Sequence, residues 1–389
     1  MKIGVKNAKI VTATAVLDGY VCTFSKGIID YIGQDLPQAD KWIDAAGGYL
    51  VSGFIDLHCH GGNGLEFMDS DAAEIGEIAD FHMAHGTTTM LATTLAASDA
   101  ETKSALENIA KYKQACPATS IEGVHLEGPW LNPLQCGAQN LAYMKKPDAK
   151  ELAELKERYP FILRASAAPE LPCGMDFGKR GKSLGIVMSP AHTDADFGEC
   201  EMALKNGYNL MTHLYSGMNG VTRKNAFRTA GAVEAGLFFD DYFVEIIADG
   251  KHLPKDLLRY IYKQKGASRI ALITDAIRAC GLQEGTHTVI GSRKNGLPVV
   301  VEDGVAKLLS RQSFAGSAST FDKIYRTMAN AIGRDMVALS LMASLVPAKI
   351  MGWQDRGEIA TGKRADLLIL DENLEIKKVI TNKENKLQR

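Results

Sequence analysis

The chain has 389 residues, 46% apolar and 23% charged, an ordinary globular composition with room for one large domain and a smaller one. A net charge of -2 excludes a nucleic-acid binder working through a basic surface, though a few local arginines suffice for an anionic small substrate. No apolar run reaches transmembrane length, no signal-peptide layout opens the chain, and the seven cysteines show no Cys-x-x-Cys spacing, so the expectation is a soluble, cytoplasmic protein with free thiols.

Residues 1–50 read as β-rich, with short, partly alternating runs at 5–12 and 27–33. An apolar strand at 51–57 follows and ends in His58-Cys59-His60-Gly61. Helical spacing then marks 70–85, 100–116, 148–158, 197–206 and 255–264. Between these helices lie apolar strands at 87–94, 120–126, 161–168, 185–191, 209–214, 243–248 and 269–274. Eight short strands alternating with helices predict an α/β protein, a parallel (β/α)8 TIM-like barrel over 51–352. The stretch 286–309 interrupts the alternation with a hairpin, 297–301 and 305–309 around Asp303-Gly304, before closing helices at 318–332 and 336–351. Strand-like runs at 365–370 and 376–380 match the opening segment in character. Both chain ends, 1–50 and 353–389, are therefore expected to join in one small β-sandwich domain, with polar residues 382–389 frayed.

Catalytic groups in such barrels sit at the C-terminal ends of strands. Side chains alternate along a strand, so His58 and His60 point the same way, as the rim of a metal site or as a hydrogen-bonded pair capping the strand. The third strand ends in His125-Leu126-Glu127-Gly128-Pro129, the fifth in His192-Thr193-Asp194, the sixth in Thr212-His213 and the eighth in Thr274-Asp275. Singly, His192, Asp194 and Asp275 read as helix caps and His213 as a core histidine. Glu127 resists such an account, because an unpaired carboxylate at the end of an apolar strand is costly. Together, Glu127, His192 and His213 are a two-histidine, one-carboxylate set, the ligand class of catalytic zinc sites with an open position. His125 shares a face with Glu127 if the strand stays regular. His82, His85 and His287 lie off the strand ends and carry no role.

These residues resemble the amidohydrolase superfamily and, within it, the N-acetylglucosamine-6-phosphate deacetylase family. The resemblance rests on 53–61, on Gly123-Val124-His125-Leu126-Glu127-Gly128-Pro129-Trp130, on Thr212-His213-Leu214-Tyr215 and on Ile247-Ala248-Asp249-Gly250-Lys251-His252. Thr274-Asp275-Ala276, Ala315-Gly316-Ser317 and 362–367 extend it over nearly the whole chain. It implies hydrolysis of the N-acetyl group to acetate and an amino-sugar phosphate, with a divalent metal, zinc, on Glu127, His192 and His213 and with Asp275 as general acid/base. His58 and His60 match a pair that permits a second metal, so one or two ions per subunit are implied. The fourth strand ends without the bridging lysine of some superfamily members. For substrate, the resemblance points to Gln139, Ser216, Gly217, His252 and Arg228, with Arg223 as a second phosphate candidate. The arginine comes from the neighbouring subunit in the family, which implies a homodimer. The chain departs from the family pattern at Gln139, where many members have histidine, and at Ser216-Gly217, where Asn-Ala is usual. It departs again at Arg228-Thr229-Ala230-Gly231, which follows a short insertion. Rival readings are a deacetylase for N-acetylgalactosamine-6-phosphate or another N-acyl substrate, and an inactive barrel that only binds a sugar phosphate.

Overall fold

The computed structural model describes residues 1–385. Its opening run, expected as one strand, divides at Asn7, whose φ of 55° turns the chain. Lys2–Lys6 enters one sheet and Lys9–Val11 another. The first sheet runs Ile28–Gly33, Val21–Ser25, Lys2–Lys6, Lys41–Asp44. The second runs Ile376–Ile380, Leu367–Leu370, Tyr49–Ser52, Lys9–Val11, Val16–Leu17, so strands from both chain ends share it. Val5, Cys22, Phe24 and Ile29 of the first sheet bury against Ile10, Leu50, Leu367 and Ile369 of the second. The expected joining of the two chain ends in a β-sheet domain is present.

The strand expected at 51–57 is two strands. Tyr49–Ser52 pairs in the terminal sheet, and Phe54–Cys59 starts the parallel one. Gly53 makes the crossing: a Cβ there would sit 2.2 Å from Thr88 Oγ1, so the chain passes between the sheets only without a side chain.

The parallel strands are β1 (Phe54–Cys59), β2 (Thr87–Thr94), β3 (Ile121–Glu127), β4 (Ile162–Ala167), β5 (Val187–Pro190), β6 (Leu210–Met211), β7 (Phe243–Ile246) and β8 (Ile270–Leu272). β1 to β5 pair in sequence order as one sheet, and β6 to β8 as another. Met188 bridges Tyr208 between β5 and β6, and Cys59 bridges Ala276 between β1 and the chain after β8. The strands are buried nearly throughout, β2 at every residue, as expected where helices cover a parallel sheet. The helices start where the sequence supplies capping boxes: Asp71 with Glu74, Ser98 with Glu101, and Asp196 with Glu199. Asp196, rather than His192 or Asp194, therefore caps Phe197–Lys205, and the capping account of those two residues falls away. At the other end of the strands, Ile55, Leu57, Leu91, Leu210 and Phe243 pack with Val346 and Ile350 of the last helical segment, closing the floor with apolar side chains.

The hairpin expected in 286–309 is a three-stranded antiparallel sheet, because His287–Ile290 joins Leu297–Glu302 and Val305–Leu308. Among the described residues, no helix is long and apolar enough to cross a membrane.

The expectation of a frayed tail from 382 is corrected. Lys383 and Asn385 are buried, at 7% and 2% exposure. Asn385 Oδ1 accepts from the Ser120 backbone at 2.9 Å, and Lys383 Nζ donates to Glu122 Oε1 and Thr89 Oγ1, both at 3.0 Å. The tail is polar because it ties to the strand starts of β2 and β3 by hydrogen bonds. Residues 386–389 lie outside the described part.

Burial would raise the Glu122 carboxyl, but Lys383 and Arg356 outweigh it and hold the group down to about 2 from 4.5. A depressed carboxylate contributes stability above its unfolded value that is lost as pH falls through the folded one. Glu122→Gln is therefore expected to cost about 1–3 kcal/mol at pH 7. The gap from wild type should close as pH falls from about 4.5 toward 2, as read by urea denaturation across that range.

Candidate metal centre

The strand ends converge as the sequence predicts. Glu127 is the last residue of β3, and its Oε1 lies 2.9 Å from His213 Nε2, 3.3 Å from His192 Nε2 and 3.5 Å from His58 Nε2. Its Oε2 lies 3.3 Å from His60 Nε2 and accepts from Gln139 Nε2 at 2.7 Å. Asp275 Oδ1 sits 3.2 Å from His60 Nε2 and 3.4 Å from His58 Nε2. All six of these acid and imidazole groups are buried. The fit to a cation is chemical. The Nε2 atoms of His58 and His60 are 3.2 Å apart, and two imidazoles facing each other this way need a shared proton or a cation. Two groups have donor atoms all within 4.8 Å of one another, His58–Glu127–His213 and His58–His60–Asp275. His192 Nε2 lies 3.3 Å from the same Glu127 oxygen but belongs to neither of these two groups.

The backbone aims these side chains. His192, His213 and Asp275 have φ values of 43°, 29° and 48°, in the left-handed region that non-glycine residues seldom occupy. His192 Nδ1 donates to Gln135 O at 2.7 Å and His213 Nδ1 to Ser216 O at 3.1 Å, which leaves both Nε2 atoms turned to Glu127. Burial would lower His58 and His60, but Glu127 and Asp275 outweigh it and raise the imidazoles to about 9 and about 10. Burial would raise Glu127, yet His58, His192 and His213 hold it well below the usual carboxylate range. The centre stores negative charge that positive charge must balance.

His60, Glu127, Gln139, His192, His213, Ser216, Gly217, His252 and Asp275 line one cavity of about 290 Å³, and His58 lies beneath it. Gln139 is locked, with Oε1 accepting from the Ala96 backbone at 2.8 Å. His252 Nδ1 is held by Asp249 Oδ2 at 2.7 Å, its ring edge-on to Phe314 at 4.8 Å. Arg228 and the second phosphate candidate, Arg223, are not brought in. Arg228 is exposed on a two-stranded hairpin, Thr222–Lys224 and Phe227–Thr229, opposite Arg223. His125 turns to Ser166 Oγ at 2.7 Å and stays out of the cluster, while His82 is a core histidine bonded to Gly61 O at 2.9 Å.

Sequence reasoning missed three kinds of residue. Gln135 supports His192 through a backbone carbonyl, which has no sequence signature. Ile290 reaches the cavity from the insertion, which was given no role, and Gln312, Ser313 and Phe314 reach it from the segment that follows. Arg164 and Glu245 are charges inside the apolar strands β4 and β7, a signal that was there to be read.

Residues 49–386 match the amidohydrolase family. The chain is 30% identical over 382 residues to an N-acetylglucosamine-6-phosphate deacetylase of Bacillus subtilis, covering 96% of this chain and 94% of that one. It is 29% identical over 375 residues to an N-acetylgalactosamine-6-phosphate deacetylase of Escherichia coli O157:H7, covering 95% and 96%. A variant of the Mycobacterium smegmatis N-acetyl-D-glucosamine-6-phosphate deacetylase, in complex with N-acetyl-D-glucosamine-6-phosphate, superposes with a TM-score of 0.88 at 28% identity, over 99% of this chain and 98% of that one.

Gly217, where the sequence departs from its relatives, has a reason in this geometry. Its φ is 57°, and a Cβ would lie 2.7 Å from His192 Nδ1. Gly217→Ala is expected to displace the His192 ring and to destabilise the fold by about 1–3 kcal/mol, measured by chemical denaturation.

Proposed function

The chain belongs to the amidohydrolase family, and we propose that it hydrolyses the N-acetyl group of N-acetylglucosamine-6-phosphate to glucosamine-6-phosphate and acetate. One observation carries the reading: a buried acid, Asp275, stands on the cavity wall beside Glu127, His192 and His213, its Oδ1 3.2 Å from His60 Nε2. The curated relative from Bacillus subtilis and the Mycobacterium smegmatis complex support the substrate.

Glu127, His192 and His213 would hold one divalent cation, zinc by the character of the set, and His58, His60 and Asp275 would hold a second. Such a cation supplies positive charge that polarises the amide carbonyl and acidifies water. Asp275 accepts a proton from the attacking water and returns it to the amine nitrogen as the C–N bond breaks. The Gln139 amide, fixed between Ala96 and Glu127, faces the carbonyl oxygen as charge develops there. His252 meets a sugar hydroxyl, and the Ser216-Gly217 turn receives the phosphate end. Arg228 of a second copy, with Arg223 beside it, completes the phosphate site, since a guanidinium offers a planar fork to phosphate oxygens. That arrangement makes the working unit a homodimer. The two parallel sheets form one closed (β/α)8 barrel over 51–352, with 1–50 and 353–389 as a β-sandwich beside it. The absence of a disulfide among the described residues suits a cytoplasmic protein.

A second reading is favoured by the Escherichia coli relative: the 4-epimer, N-acetylgalactosamine-6-phosphate, is the substrate. Turnover of both 6-phosphates and of the unphosphorylated sugars separates the readings. The account expects the glucosamine derivative to lead, with loss of the phosphate costing at least tenfold in kcat/KM. Asp275→Asn is expected to keep the cation on Glu127, His192 and His213, read as at least one metal per chain by elemental analysis, while deacetylation falls by about 10²–10⁴-fold. Turnover near wild type in that variant contradicts the role of Asp275.

A further inference from the structure

Beneath the cavity lies a pair of charges that the reaction above does not use. Arg164 on β4 and Glu245 on β7 are both fully buried. They pair through two contacts, Nη1 with Oε1 and Nη2 with Oε2, the latter at 2.8 Å. The guanidinium is held further by Leu57 O at 3.1 Å, Thr212 Oγ1 at 2.9 Å and Ser189 Oγ at 3.3 Å, so it reaches β1, β5, β6 and β7 at once. Nothing about folding requires this pair. Desolvating two ions often cancels their attraction, and apolar side chains of similar volume serve as well or better. The floor below is apolar, so a core without charges was available at this depth too.

Two imidazoles of the cluster, His58 and His60, have a buried Nδ1 without a hydrogen-bond partner among the described residues, and His58 is the one that Glu245 approaches. Its Nε2 faces Glu127 and Asp275, and its Nδ1 is a buried nitrogen with no hydrogen-bond partner among the described residues. Glu245 Oε2 lies 3.6 Å from it, within charge-contact range but beyond a hydrogen bond. His192 and His213 each have a backbone carbonyl behind Nδ1. His58 has a carboxylate instead.

We propose that Glu245, held by Arg164, is the positioning carboxylate of His58: it keeps the proton on Nδ1 and so presents the Nε2 lone pair to a cation shared with Glu127 or Asp275. Arg164 acts one step further out. By occupying both Glu245 oxygens and tying four strands, it fixes the direction from which Glu245 meets the ring. The inference rests on the reading of His58 as a ligand. Carboxylates behind ligating histidines commonly carry 10–100-fold in metal affinity.

The test is zinc affinity by chelator competition on the purified full chain. His58→Asn first establishes that His58 binds metal; zinc affinity unchanged there removes the ligand reading, and the inference with it. Given a loss in His58→Asn, Glu245→Gln is expected to weaken zinc binding about 10–100-fold. Should that variant fail to fold with Arg164 left unpaired, Arg164→Met/Glu245→Leu removes both charges and is expected to fold while showing the same weakening. Wild-type zinc affinity in either folded variant overturns the inference. A readout on the unmutated protein stands beside these. Nitrogen-15 shifts of the His58 ring, assigned by their loss in His58→Asn, are expected to show a protonated Nδ1 in the zinc-loaded protein. An unprotonated Nδ1 overturns the proposal.

Discussion

Glu127 is a carboxylate at 2% exposure, and burying it is tolerable only with positive charge at hand. Stripping such an ion of water costs several kcal/mol even after relaxation. Four imidazoles from three strand ends supply the compensation, at 2.9 to 3.5 Å. No lysine or arginine pairs with it among the described residues, so the balance is made with groups that can give up a proton to a cation. That one constraint explains why histidines gather from β1, β5 and β6 where β3 ends. It also explains why Asp275, the second acid, stands against the same imidazoles.

Holding such a cluster requires backbone that ordinary strand ends do not offer. Left-handed φ at His192, His213 and Asp275 costs of order 1–3 kcal/mol each. The neighbouring turns meet that cost with cross-links. Thr193 N–H donates to Gly217 O, Asp275 N–H to His58 O, and Ser317 N–H to Asp275 O, at 2.9, 2.9 and 2.7 Å. These loops are thereby tied to one another, so the geometry belongs to the cluster as a whole. Gly217, one of the departures from the family pattern, is the space that the His192 ring needs. The Arg164–Glu245 pair extends the same arrangement downward, and the polar centre continues between the parallel strands to the depth of His58 before apolar packing takes over.

Much of this was visible in the residues. Strand and helix periods place every ligand-bearing strand, because parallel strands buried on both faces read as apolar runs. The strand-end histidines and carboxylates then identify the centre. What escaped depends on contacts that leave no local pattern. Asn7 and Gly53 divide runs that look continuous, and only the sheets on either side reveal the break. Lys383 and Asn385 look like a frayed polar end because their partners, Ser120 and Glu122, are more than 250 residues away. Glu245 and Arg164 were legible as misplaced charges in apolar strands, but their meaning waits on the His58 ring between them and the cluster.

The central claim is that Glu127, His192 and His213 together hold a catalytic cation. Anomalous X-ray scattering at the zinc edge, from crystals of the protein as purified, tests it most directly. The account predicts a peak about 2.0–2.2 Å from a Glu127 oxygen and from the Nε2 atoms of His192 and His213. A fully active crystal preparation with no peak at that position, or with a single peak outside reach of Glu127, would contradict it.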